Sequence, residues 1–500
     1  MALELGEPLG YVVDGATPTS ARFVSTRPPP VGDYVVIEAG GDYVLGMVRS
    51  VGTRSLTLSS LPGVYDPVVV EKLSAEAGAG DVFFECSARL LATLSGGSPR
   101  LPPLPGARVY RAPSGLLARL FGGAEGRSVR VGVLATRPDV EVRVDVNTMV
   151  TRHTAILAVT GAGKSNTVAV VADRLVRGYN ATLLIFDFHG EYVGSSIGGG
   201  VNVIEPRLNP RHLSISELMT LLGVEHRFYH QERVLRKALE KVESDVFQGS
   251  FIDGLRAALE GSARQKGDEG RAAVALLNKL DSLLERYGDI LDDTAVDPVS
   301  GLEPGRANVL DLSRVDEDAA DVIVSHVLRI LLWERKLYKL RGSSRVPFPV
   351  LVVLEEAHIL APRDEDTLSK YWLARVAREG RKFGLGLMLV SQRPKGLDQD
   401  ILSQANNMIV MRLVEPTDQR YVQAASEALS EDLLEHLPSL ATGEAVLVGP
   451  FTPLPALVKI DRFEGRLGGS DPDVVEEWTR TRAAGSPAEP GGSELYEEFL

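Results

Sequence analysis

The stretch AVTGAGKS, Ala158 to Ser165, constrains the fold of this chain more than any other. It follows an apolar run ending at Val159 and opens into NTVAVVADRLV, whose apolar spacing predicts a helix. Strand, glycine loop and helix together are the setting of a phosphate-binding P-loop. Gly161 and Gly163 let the backbone curl so that successive N–H groups face one point at a helix start. Thr160, Gly161, Ala162, Gly163, Lys164, Ser165 and Asn166 are the expected nucleotide-binding residues. Lys164 is suited to neutralising the β- and γ-phosphates, and the Ser165 hydroxyl to ligating Mg²⁺, a hard cation that prefers oxygen. Ala158 stands where the GxxxxGK[ST] pattern has its first glycine. A bare glycine turn would explain the loop alone, but not the strand and helix around it.

A P-loop that hydrolyses needs carboxylates downstream. VLVVLEE, Val350 to Glu356, supplies an apolar strand ending in two. Glu355 is expected to hold Mg²⁺, through its water, and Glu356 to polarise the attacking water as general base. Two adjacent glutamates at a strand end are costly if buried and unpaired, and a metal–phosphate site resolves that cost. Gln392 ends the next apolar strand, where a side-chain amide can sense the γ-phosphate. Asp187, His189 and Glu191 follow a further strand, in DFHGEY. Ligands of open α/β sheets bind outside the carboxyl ends of the strands, and four such ends here carry glycines or polar groups.

The segment YWLARVAREGRKFG, Tyr371 to Gly384, predicts a helix with Arg375, Arg378, Arg381 and Lys382. The arginines, three apart, share a face. A solvated basic face is the plain reading; the sharper one is an arginine finger that completes a neighbouring subunit's ATP site. Arg381 is the first candidate, with Arg143 and Arg412 as alternates. Arg393 and Lys395, after the Gln392 strand, are candidate DNA contacts. His226 and His230, four apart, have metal-compatible spacing but no third ligand nearby.

Composition sets the outer bounds. The 500 residues suggest several domains. A net charge of −13 excludes a globally basic DNA coat but not a locally basic channel. Cys86 is the single cysteine, so no intrachain disulfide or cysteine zinc site forms. No signal peptide or membrane-length apolar run is evident, and a cytoplasmic protein is expected. Residues 1–139 read as short strands with frequent turns, a small β-barrel. Strands alternating with helices in 140–206 and 307–450 predict an α/β core with a parallel sheet covered on both faces. Residues 207–306 show helical spacing and read as a helical insertion. Residues 451–500 read as an extended C-terminal bracing tail, ending in ELYEEFL.

With the P-loop, DFHGEY, LEEAH and EGRKFGLGLMLVSQRP in place, most of the chain resembles the HerA family of DNA translocases, in the HerA–FtsK branch of P-loop ATPases. The resemblance implies a RecA-like core, and identifies the N-terminal barrel with that family's HAS barrel. It implies a homohexameric ring with ATP sites between subunits and double-stranded DNA in a central channel. By motif, Lys164 and Ser165 are the phosphate and Mg²⁺ residues. Glu355 and Glu356 are the acidic pair, Gln392 the sensor, and Asp187 with Glu191 the second-strand acidic residues. The family also implies a NurA-type nuclease partner in DNA end resection and, in archaea, a recombination-repair complex. The expected activity is therefore an ATP-dependent DNA translocase or helicase. The alternatives are an FtsK-like or conjugation-type translocase and, from another class, a rotary ATPase-type subunit or a protein-remodelling ATPase.

Overall fold

The computed structural model describes residues 5–59, 66–76, 81–224, 228–244, 250–468, 474–475 and 478–479. His226 and the terminal ELYEEFL lie outside the described residues.

Six strands close the N-terminal barrel: β1 (Gly10–Val12), β2 (Ser20–Ser25), β3 (Tyr34–Ala39), β4 (Asp42–Ser55), β5 (Val82–Thr93) and β6 (Arg108–Arg111). Their order around the barrel is β1-β2-β5-β4-β3-β6. The 14-residue β4 bends through register shifts at Leu45/Gly46 and Val48/Ser50, the irregularities that let a long strand follow a small barrel's curvature. Phe23, Val35, Ile37, Val48 and Val109 fill its interior.

The remaining strands form one sheet. They are β7 (Ser128–Leu134), β8 (Arg137–Asp145), β9 (Thr154–Leu157), β10 (Thr182–Asp187), β11 (Asn202–Ile204), β12 (Ala307–Asp311), β13 (Val350–Leu354), β14 (Leu385–Ser391), β15 (Asn407–Val410), β16 (Glu444–Val448) and β17 (Ala456–Ile460). The order is β11-β12-β10-β13-β14-β9-β15-β16-β17-β7-β8. From β11 to β15 the pairing is parallel, and from β15 to β8 antiparallel. The parallel strands β9, β10, β13 and β14 are buried along their whole length, as expected for a sheet covered on both faces.

Strand pairing divides the chain differently from a boundary at residue 139. The barrel's last strand ends at Arg111, and β7 and β8 join the ATPase sheet through the β17–β7 ladder, where Val458 faces Leu134. Likewise β17 lies beyond residue 450 yet is a sheet strand. Barrel and sheet are locked together by the fully buried Asp33, which accepts hydrogen bonds from Arg111 at 2.7 Å and Arg137 at 3.0 Å. A second contact sets Arg49 and Arg89 of the barrel against Asp432.

Between β11 and β12 run the helices Ile215–Leu221, Tyr229–Ser244, Phe251–Ala263 and Asp268–Tyr287, the expected helical region. Ser214 and Glu217 form a capping box at the first. Glu217 then reaches across to Arg329 on the helix Glu317–Arg341, anchoring the insertion to the core.

Candidate nucleotide site

The P-loop leaves the carboxyl end of β9 and enters the helix Lys164–Tyr179. Gly161 and Gly163 take φ values of 74° and 108°, a left-handed backbone that side chains strongly disfavour. Around Gly163 there is no spare room either: a Cβ there would meet Met411 Cε at 3.3 Å. The loop is supported from behind, because the Gly443 N–H donates to the Ala162 carbonyl at 2.9 Å. Ala158 is fully buried, its N–H donating to the Ser391 carbonyl, so the position that lacks the pattern's glycine sits inside the sheet edge.

Four adjacent strands, β10, β13, β14 and β9, bring their carboxyl ends together. A cavity of about 450 Å³ lies outside them. Thr160, Gly161, Gly163, Lys164, Ser165 and Asn166 line it from the P-loop. Glu355 and Glu356 enter from β13, Gln392 from β14, and His189 and Glu191 from the turn after β10. Of the residues expected to bind nucleotide, Ala162, Asp187 and Arg143 are not among the lining.

Glu355 is buried and accepts a hydrogen bond from the Tyr192 hydroxyl. Burial pushes its pKa up to about 7; the Tyr192 bond and Lys164 oppose the rise, and Glu191 and Glu356 add to it. Glu356 adopts φ 45°, ψ 45°, a left-handed conformation costing roughly 1–2 kcal/mol outside glycine. That turn aims its carboxylate back over the strand end. Burial raises its pKa as well, against the attraction of Lys164 and His189. Its Oε2 is buried with no hydrogen-bond partner. The other oxygen, Oε1, lies 3.8 Å from His189, which lines the cavity, so it is the oxygen on the cavity side.

Thr160 Oγ1 donates to Gln392 Oε1 at 2.6 Å, joining the P-loop to the end of β14. Asn166 holds the segment after β17, donating to the Asp461 carbonyl at 2.9 Å and accepting from the Phe463 N–H at 2.8 Å. Asp187 is fully buried, and its carboxylate accepts the backbone N–H groups of His189, Glu191, Tyr192 and Val193. It therefore folds the HGEY turn, and the turn presents His189 and Glu191. Tyr192 and His358 are the neighbours that sequence reasoning left without a role. Both sit inside the quoted motifs, HGEY and EEAH, and that placement was their only signal.

The arginines separate. Arg381 is exposed in the turn Gly380–Phe383, just before the amino end of β14. Gln392 follows the other end of that seven-residue strand, so roughly 20 Å separate Arg381 from its own site. Arg143 lies on β8 at the sheet's far edge, donating to the Ser128 carbonyl at 2.9 Å and to its hydroxyl at 3.2 Å. Arg412 follows β15, and its carbonyl accepts the Val159 N–H at the root of the P-loop; its Nε is buried without a partner. Among the described residues no group of three or more His, Cys, Asp or Glu side chains is placed to hold a metal, and His230 has no such company. Ser165 and Glu355 at the phosphate cradle fit an Mg²⁺ that completes its shell with phosphate oxygens and water. No helix among the described residues is long and apolar enough to cross a membrane.

Residues 129–331 match the family described as "Helicase HerA, central domain", and residues 9–91 match the HAS barrel domain. The chain is 41% identical over 491 residues to the DNA double-strand break repair helicase HerA of Sulfolobus acidocaldarius, covering 95% of this chain and 97% of that one. In fold it is similar to VirB4 of Thermoanaerobacter pseudethanolicus, with a TM-score of 0.52 at 18% identity, over 68% of this chain and 98% of that one. The plasmid coupling protein TrwB, solved with ADP and Mg²⁺, aligns with a TM-score of 0.51 at 14% identity, over 71% of this chain and 93% of TrwB.

Proposed function

This chain belongs to the HerA helicase family of ATP-dependent enzymes, and on that footing we propose that it is a motor driving double-stranded DNA through a homohexameric ring in double-strand break repair. The observation that carries the reading is the convergence of Lys164, Ser165, Glu355, Glu356 and Gln392 on one cavity at four adjacent strand ends.

ATP is the substrate. The P-loop amides and Lys164 bind its β- and γ-phosphates. Ser165 and Glu355, the latter through a water, would hold Mg²⁺, which would neutralise charge developing on the transferred phosphoryl group. Glu356 orients the attacking water and takes its proton, and Gln392 contacts the γ-phosphate or that water. Lys164 is the site's own strong cation, and Arg381 is out of reach in its own subunit. On this reading Arg381 of a neighbouring copy takes up the charge left uncompensated in the transition state, with the ATP sites between subunits.

DNA contacts follow the backbone and are independent of sequence, with Arg393 and Lys395 as channel candidates. A NurA-type nuclease, docked on the barrel, receives the DNA during end resection, alongside a recombination-repair complex. ATP turnover measured with and without duplex DNA tests the reading. Duplex is expected to raise turnover, added salt to reverse the effect, and Lys164→Ala to abolish turnover. Turnover indifferent to DNA contradicts it, and native mass measurement reads the ring.

A further inference from the structure

We infer that His358 is a positioning residue that couples the loop Arg393–Gly396 to the Glu356 carboxylate, so that a polyanion on the loop sets the geometry of hydrolysis; the inference rests on the DNA-motor reading above. His358 follows the acidic pair by two residues and does not line the nucleotide cavity. Its Nδ1 lies 3.2 Å from Glu356 Oε2 and 3.3 Å from Ser391 Oγ. Glu356 Oε2 nevertheless has no hydrogen bond, so the imidazole is close to it but not aligned with it. With the proton on Nδ1, a single N–H has two competing acceptors. One is the general base, and the other is the last residue of β14.

Ser391 leads directly into the loop: its Oγ accepts the Arg393 N–H at 3.1 Å. The loop is also laced to the segment bearing His358. The Arg363 N–H donates to the Gly396 carbonyl and the Asp398 N–H to the Ala361 carbonyl, both at 2.8 Å. Pro362 and Leu397 form an isolated antiparallel bridge. Gly396 runs close beside the histidine, since a Cβ there would stand 3.6 Å from His358 Cβ and 3.9 Å from its ring Cδ2. Displacing the loop therefore displaces the histidine.

The loop carries its own trigger. Lys395 Nζ donates to Glu415 Oε1 at 2.7 Å, and the two side chains are about half exposed, at 48% and 50%. An exposed ion pair of this kind is weak. A phosphodiester competes directly with Glu415 for the ammonium. Exchange of Glu415 for the polyanion at Lys395 pulls on the loop, the Nδ1–H turns from Ser391 to Glu356 Oε2, and Oε1 is left facing the water it must deprotonate. Two discrete arrangements of one hydrogen bond make the element bistable, and the polyanion biases it.

The test compares ATP turnover of the full-length protein with and without duplex DNA for wild type, His358→Ala and His358→Asn, with a fluorescent ADP analogue to read nucleotide affinity. His358→Ala is expected to bring the ratio of DNA-stimulated to basal turnover close to one, while KM for ATP and ADP-analogue affinity stay within about threefold of wild type. His358→Asn, whose amide donates from near the Nδ1 position, is expected to regain at least half of the ratio. Equal loss of both turnovers, with the ratio intact, would make His358 merely structural and overturn the inference. So would a ratio that His358→Asn fails to restore. Absence of stimulation in the wild type is a separate outcome, which removes the DNA-motor reading itself.

Discussion

The Thr160 hydroxyl of the P-loop donates a 2.6 Å hydrogen bond to the side-chain carbonyl of Gln392, at the end of the neighbouring strand β14. The P-loop and the end of β14 are thus joined directly. Gln392→Ala is expected to lower kcat by roughly 10–100-fold and to change nucleotide affinity by less than about threefold, because its contact tightens only during hydrolysis. Thr160→Val shifts kcat the same way by less, and the double variant is no worse than Gln392→Ala alone, since the two act through one bond. Steady-state ATP turnover and nucleotide titration of the four proteins check this.

Glu356→Gln keeps the shape of the side chain and removes its basicity. ATP binding is expected to survive while turnover falls by about 10²–10⁴-fold, the range of a positioned general base. Single-turnover hydrolysis of pre-bound ATP separates this outcome from a binding defect.

Glu217 makes stability depend on acid. Burial alone would raise its pKa, but the hydrogen bonds and charges of His326 and Arg329 outweigh burial and hold it at about 2, below the usual 4.5. A depressed carboxylate contributes stability that is complete above its unfolded pKa and is lost as pH falls through the folded one. The window is therefore pH 4.5 down to about 2. Denaturant unfolding across that window shows the loss in wild type, and Glu217→Gln flattens it.

Asp33 is the buried lock between barrel and sheet, with Arg137 itself only 9% exposed. Asp33→Ala leaves that guanidinium buried without its carboxylate and is expected to cost about 3–5 kcal/mol of unfolding free energy. Thermal and denaturant melts read this directly, and β6 and β8 lose protection from hydrogen exchange together.

What was legible in the sequence follows from which interactions are local. The P-loop, the apolar strands ending at Glu355 and Ser391, and the helical insertion all declare themselves within a few residues, through glycine spacing and apolar periodicity. Their α/β class and the barrel ahead of them hold in the structure. The strand Ser128–Leu134 falls within residues 1–139, read as barrel, because a short, largely buried strand followed by a turn serves either sheet. Only the β17–β7 ladder, over three hundred residues apart in sequence, assigns it to the core. Asp187 shows the same limit at the site. A carboxylate at a strand end faces ligand or backbone alike in sequence, and here the HGEY turn folds back to place four N–H groups on it. Tyr192 was invisible as a partner of Glu355 because that contact needs two strand ends brought side by side, whereas the His358–Glu356 contact is local and depends on the left-handed turn at Glu356.

Movement of the protein along duplex DNA is the central claim, and displacement of a third strand annealed to that duplex measures it most directly. Wild-type protein is expected to strip the third strand when ATP and Mg²⁺ are present, and Glu356→Gln to leave it in place while still binding ATP. A third strand that stays annealed while the wild-type protein hydrolyses ATP on the same DNA would contradict the account.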